Sequence, residues 1–124
     1  MSHLDTIKNL AKNIRIDILE MTSNANSGHP GGSLSATDIV SVLYGSVLNY
    51  DSSNPKWEGR DRFILSKAHA CPVLYAALAE TGYFDKSELM TFRKLNSRLQ
   101  GHAHIKTPGV EMSGGSLGQG LSFG

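Results

Sequence analysis

The chain has 124 residues, 40% of them hydrophobic, with 12 basic and 11 acidic side chains and no run of one sign. That length holds one domain at most, and the even charge gives no footing for nucleic acid or an anionic membrane surface as partner. No apolar run approaches the roughly 20 residues of a transmembrane helix, no secretory leader opens the chain, and a single cysteine, Cys71, excludes an internal disulfide, so a cytoplasmic location is expected.

Taken in chain order, Leu4, Ile7, Ala11, Ile14, Ile18 and Met21 recur at alternating spacings of three and four, the apolar stripe of a long helix. Ser2 with Asp5 supplies a start signal of the capping-box kind, and the helix is expected to stop between residues 24 and 28, where Asn, Ser and Gly take over. A second helix is expected from Ser35, with Asp38 in the reciprocal capping position and Ile39, Leu43 and Val47 buried. Residues 50–58 read as a polar loop. Residues 62–66, Arg-Phe-Ile-Leu-Ser, read as a buried strand, the one convincing strand of the chain. A third helix is expected from Pro72 to about Thr81, with Pro72 in its first turn and Gly82 at its stop. A fourth follows over residues 86–95, then loop to Ser116. Residues 117–124 read as the first two turns of another helix.

This inventory predicts an α/β fold that is helix-rich and unfinished. One buried strand needs parallel neighbours, and the sequence stops inside an apolar helical pattern, so the chain is expected to be a fragment of a larger folding unit.

Four segments carry candidate chemistry. His29 stands in Ser-Gly-His-Pro-Gly-Gly, residues 27–32, where Gly28 and Gly31 open backbone angles closed to other residues and Pro30 restricts the histidine before it. A functional imidazole there would exchange a proton near neutral pH, whereas the bland alternative is a solvated turn histidine. His69 follows the expected strand, and in open α/β sheets ligands bind beyond the carboxyl ends of strands; alternatively it satisfies a local carbonyl at a helix start. His102 and His104 in Gly-His-Ala-His could share a metal, but no carboxylate follows at ligand spacing and Cys71 is a lone soft ligand. One catalytic histidine with a bystander is expected, and no metal site within this chain. Residues 113–120, Ser-Gly-Gly-Ser-Leu-Gly-Gln-Gly, form a glycine-rich lead-in to a helix whose N–H groups could face phosphate oxygens. They match neither a P-loop nor a dinucleotide fingerprint, and the alternative is glycine for close packing.

In order and spacing, Ser-Gly-His-Pro-Gly, Arg-Asp-Arg-Phe-Ile-Leu-Ser-Lys-x-His-Ala, Leu-Gln-Gly-His and Pro-Gly-Val-Glu-x-Ser-x-Gly-Ser-Leu-Gly-Gln-Gly together resemble transketolase, from about Leu10 to Gly124. The resemblance is nearest to the N-terminal subunit of split transketolases. It implies that residues 1–124 are the beginning of a three-layer α/β/α domain that binds thiamine diphosphate, in an enzyme moving a two-carbon ketol unit between a ketose phosphate and an aldose phosphate. Carried over by position, it implies catalytic roles for His29, His69 and His102, and cofactor contacts from His69, Gly115, Ser116 and Leu117. His29 would assist proton transfer at the donor hydroxyl, His69 would lie near the diphosphate, and His102 would hydrogen-bond donor hydroxyls. The Mg²⁺ ligands of the family lie outside this chain, as does its activating glutamate, which belongs to a pyrimidine-binding half. A homodimer or heterotetramer is therefore implied, and the isolated chain is expected to be inactive.

Three features depart from the family pattern. Ala68 stands for a glycine before His69, a costly change if that position needs positive φ. Ala103 stands for a proline after His102, and His104 follows it. The alternatives are a non-catalytic truncated paralogue that binds a transketolase-like partner, or another thiamine-diphosphate enzyme such as a deoxyxylulose-phosphate synthase.

Overall fold

The computed structural model describes residues 2–115 and 117–123. Helix α1 spans His3–Ala25; the Ser2 hydroxyl caps it by accepting the Asp5 N–H at 3.1 Å, and Asp5 complements the positive end of its dipole. Ala11, Ile14, Ile18 and Met21 are buried along it, while Leu4, at the open end of the same stripe, stays exposed. Asn26 ends the helix in the left-handed region at φ 49°, and Gly28 follows at φ 102°.

Helix α2 spans Pro30–Val42 and starts five residues earlier than expected, with Pro30 in its first turn and His29 at the N-cap. Asp38 is no cap but an exposed ion pair with Arg15 of α1, at 2.8 Å. The buried face also differs from the expected one: Ile39 and Val47 point outward, and Ser33, Thr37, Val40, Ser41 and Tyr44 point inward. The small Ser33, Thr37 and Ser41 let α2 approach closely; Ser33 donates to Ala70 O at 3.1 Å and Thr37 to Ser33 O at 3.0 Å, while the Ser41 hydroxyl has no partner among the described residues. A π-helical turn, Leu43–Val47, closes the element, with Gly45 pressed on Ile7 and Leu10 of α1.

Helix α3 spans Cys71–Glu80, and every residue from Cys71 to Ala79 is buried. A helix apolar on all sides belongs in the middle of a core. α1, α2 and a 3₁₀ turn at Lys86–Thr91 surround it. That turn replaces the expected fourth helix: Asp85 caps Ser87 N–H at 2.8 Å, but Phe92 leaves the helical region and Arg93 is left-handed at φ 64°. Residues 62–65 form no strand ladder, and Phe63 to Ser66 are half-buried rather than buried. Among the described residues there is no partner strand, so the expected strand has nothing to bond. At the far end α4 spans only Gly120–Phe123, one turn instead of the expected two.

Candidate functional site

The short 3₁₀ turn Ala68–Ala70 is the hub of the candidate site. Ala68 and Ala70 are buried and anchor the backbone, while His69 between them is exposed. Ser33 of α2 donates to Ala70 O, and Lys67 Nζ reaches Gly32 O and Ser35 Oγ, each at 3.4 Å. The first turn of α2 is thereby tied to the turn that carries His69. Gly32 lies against the His69 ring: a Cβ there would stand 3.6 Å from Nε2 and 3.7 Å from Ala70 Cβ. His29 sits three residues before Gly32, exposed and extended (φ −122°, ψ 104°), with no capping bond from its side chain, so its ring nitrogens are not used to hold the helix.

His102 is held by its neighbours rather than by its own ring. Before it, the Cys71 thiol donates to Gly101 O at 3.1 Å, and the Tyr75 hydroxyl donates to Gln100 O at 2.6 Å. After it, buried Ala103 accepts the Gly114 N–H at 3.1 Å. Burial pushes the Cys71 thiol up to about 12, which keeps it protonated as the donor to these carbonyls. His104 is pinned separately, its Nδ1 accepting the Lys106 N–H at 3.1 Å. All three candidate histidines are exposed, and no hydrogen bond joins any two of them. Ser33, Lys67 and Tyr75 were not singled out from sequence, and Cys71 was noted only as a lone thiol and not as a tether.

The glycine-rich segment departs from its expected role as a row of free donors. Three of its N–H groups are spent internally: Gly114 on Ala103 O, Gly118 on Ser66 O at 3.2 Å, and Gly120 on Ser66 Oγ at 3.1 Å. Gly115 remains open, with nothing within 4 Å of where a Cβ would be. Leu117 is exposed, and the expected contact from Ser116 lies outside the described residues. Ile64, Leu65 and Met112 line the wall beside Gly115, where the enclosed cavity is only about 20 Å³, room for a single water. Among the described residues no group of three His, Cys, Asp or Glu side chains is placed to hold a metal.

The departure at Ala68 carries no strain, because that residue does not take positive φ. Its methyl instead sets the size of its neighbour: a Cβ on Gly114 would stand 2.4 Å from Ala68 Cβ. Gly114→Ala is expected to push the segment off residues 66–68 and cost roughly 1–3 kcal/mol in urea unfolding. Making it together with Ala68→Gly should recover most of the loss.

Residues 6–124 match the family described as transketolase, thiamine diphosphate binding domain. The chain is 42% identical over 118 residues to transketolase of Homo sapiens, covering 95% of this chain and 19% of that protein. It is 46% identical over 117 residues to transketolase 2 of Escherichia coli K12, covering 93% and 18%. Its structure is similar to that of transketolase from Campylobacter jejuni (TM-score 0.88, 41% identity, 95% of this chain and 19% of that one). It is also similar to Pichia stipitis transketolase in complex with sedoheptulose 7-phosphate (TM-score 0.89, 34% identity, 97% and 18%). The chain spans about a fifth of the length of the curated relatives it matches. By the family match over residues 6–124 and this similarity in sequence and structure, the chain belongs to the transketolase family, through its thiamine-diphosphate-binding domain.

Proposed function

We propose that this chain supplies the diphosphate-side histidines of a thiamine-diphosphate-dependent ketol transfer between a ketose phosphate and an aldose phosphate. The observation that carries the reading is the lashing of α2's first turn to the 67–70 turn, which sets the His69 ring against Gly32, three residues from His29. Thiamine diphosphate, when bound, supplies the electron sink for the two-carbon unit. The protein's part is to bind, orient and move protons. His29, with both ring nitrogens uncommitted to the helix, takes and returns the proton of the donor hydroxyl. His69, together with the backbone at Gly115, Ser116 and Leu117, holds the diphosphate side of the cofactor. Lys67 brings a positive charge beside them. His102, on a loop fixed by Cys71, Tyr75 and Gly114, hydrogen-bonds donor hydroxyls. Mg²⁺ ligands and the pyrimidine-binding half come from outside these residues, on the rest of the polypeptide or on a second subunit, so a homodimer or heterotetramer is the working assembly.

The test is His29→Ala in the assembled holoenzyme. Turnover is expected to fall about a hundredfold, the lower end for a lost general acid–base group, with cofactor affinity and melting temperature unchanged. Wild-type turnover in that variant would remove His29 from the mechanism. A matched loss of cofactor binding would make it a structural residue.

A further inference from the structure

Beside the His102 loop, the protein surface holds a cavity of about 280 Å³, most of whose lining the proposed ketol transfer does not use. Ser97, Arg98, Gln100, His102, His104 and Lys106 line it, with no carboxylate among them. The donors facing it are of three kinds. The His104 ring accepts the Lys106 N–H at Nδ1, so its own proton is left to Nε2 as a free donor. Lys106 makes no ion pair among the described residues, and its ammonium is exposed. Arg98 spends Nε and Nη2 on Glu88, at 2.5 and 2.8 Å, which fixes the guanidinium plane and leaves Nη1 unspent. The amide nitrogen of Gln100 is committed to Lys94 O and Ser97 O, which holds that side chain still and leaves it only an acceptor.

Nitrogen donors around a small concavity with no carboxylate in its lining suit an anion with several acceptor oxygens. A carboxylate presents only two such oxygens in one plane. A phosphate monoester offers three around a tetrahedron, to be shared by Nε2, Nζ and Nη1, and the ester's own hydroxyls would find Gln100 Oε1. We propose that this cavity is a binding site for a phosphate-monoester anion, held by His104, Lys106 and Arg98. None of these three has a part in the ketol-transfer reading.

Inorganic phosphate is the probe, titrated into ¹⁵N-labelled protein at constant pH and ionic strength. Saturable shifts are expected at the His104 ring and the Lys106 amide, with the His29 and His69 rings unmoved. Lys106→Gln keeps the His104 turn intact and should weaken binding about tenfold, as for one lost charge-assisted contact. His104→Gln should do the same, its folding checked by an unchanged spectrum elsewhere. The site is overturned if the shifts do not saturate, if Lys106→Gln binds phosphate as tightly as the parent, or if the shifts centre on Lys67 and His69. This readout needs neither cofactor nor turnover, so its failure leaves the His29 test standing, and loss of the His29 role leaves this site untouched.

Discussion

Gly109→Ala will lower the unfolding free energy by about 2–5 kcal/mol. Thr107 to Val110 is a tight turn closed by the Val110 N–H on Thr107 O at 3.1 Å, with Pro108 and Gly109 at its centre. Gly109 has φ +90°, the angle that the third residue of a type II turn requires. An L side chain in that region costs roughly 1–2 kcal/mol before anything is touched. Something is touched here, because the added Cβ would stand 2.6 Å from Leu78 Cδ2 and 2.8 Å from Tyr83 Cδ2. Leu78 is fully buried in α3 and cannot swing away, so overpacking adds roughly 1–3 kcal/mol. The urea midpoint should fall sharply with little change in slope. Gly31→Ala is the control: it adds the same methyl, in a helix and with nothing within 4 Å, and should be neutral or slightly stabilising. If Gly109→Ala unfolds at the parent's midpoint, the turn is not held as described.

The second large effect is one of pH. Asp17 of α1 is buried and Glu80 at the end of α3 half-buried, beneath Lys86, whose ammonium lies 2.7 Å from Glu80 and 3.8 Å from Asp17. Burial first, then the hydrogen bond and charge of Glu80, raise the Asp17 pKa to about 8, against the pull of Lys86 and with a small push from Glu20. Burial works against the Glu80 carboxylate too, but the Asp17 hydrogen bond and Lys86 outweigh it and bring its pKa below the ordinary value. Asp17 Oδ2 has no donor among the described residues, and a proton held between the two carboxyl groups supplies one. The folded state therefore binds a proton on Asp17 that the unfolded chain releases above its ordinary value of 3.8. Stability should fall as pH rises from about 5 to about 8, by up to about 1.4 kcal/mol per unit and roughly 2–4 kcal/mol across the window. Glu80 acts in the opposite sense, and its contribution is lost only as pH drops below the ordinary carboxylate range. Asp17→Asn should flatten the slope between pH 5 and 8 in urea titrations. An unchanged slope would place the proton elsewhere.

The long helices were legible in the sequence because a strong local signal agreed with the packing. The three-and-four stripe of α1 and the Pro72–Gly82 bracket of α3 each have one physical reading. The register of α2 was hidden for a specific reason. Its buried face is Ser33, Thr37 and Ser41, whose small hydroxyls fill a close helix contact, while Ile39 and Val47 face outward. Apolar periodicity cannot see a face built of serine and threonine. Residues 62–65 have the composition of a strand, but a strand is made by its ladder, and no ladder partner exists among the described residues. The three histidine loops stood out because glycine and proline frame them. Their tethers did not, since a bond from Cys71 to a carbonyl 30 residues away leaves no pattern in the sequence. In the glycine-rich segment the spacing shows where N–H groups lie but not that those of Gly114, Gly118 and Gly120 are already held by Ala103 and Ser66.

The tether also makes the protein its own gauge of loop motion. The single thiol is buried against Gln100 O and Gly101 O, so a swing of the backbone next to His102 away from α3 uncovers it to an alkylating reagent. Labelling of Cys71 under native conditions therefore counts the openings of the His102 loop, one residue reporting one event. Any ligand that closes over that loop will be seen as protection of a sulfur it never touches.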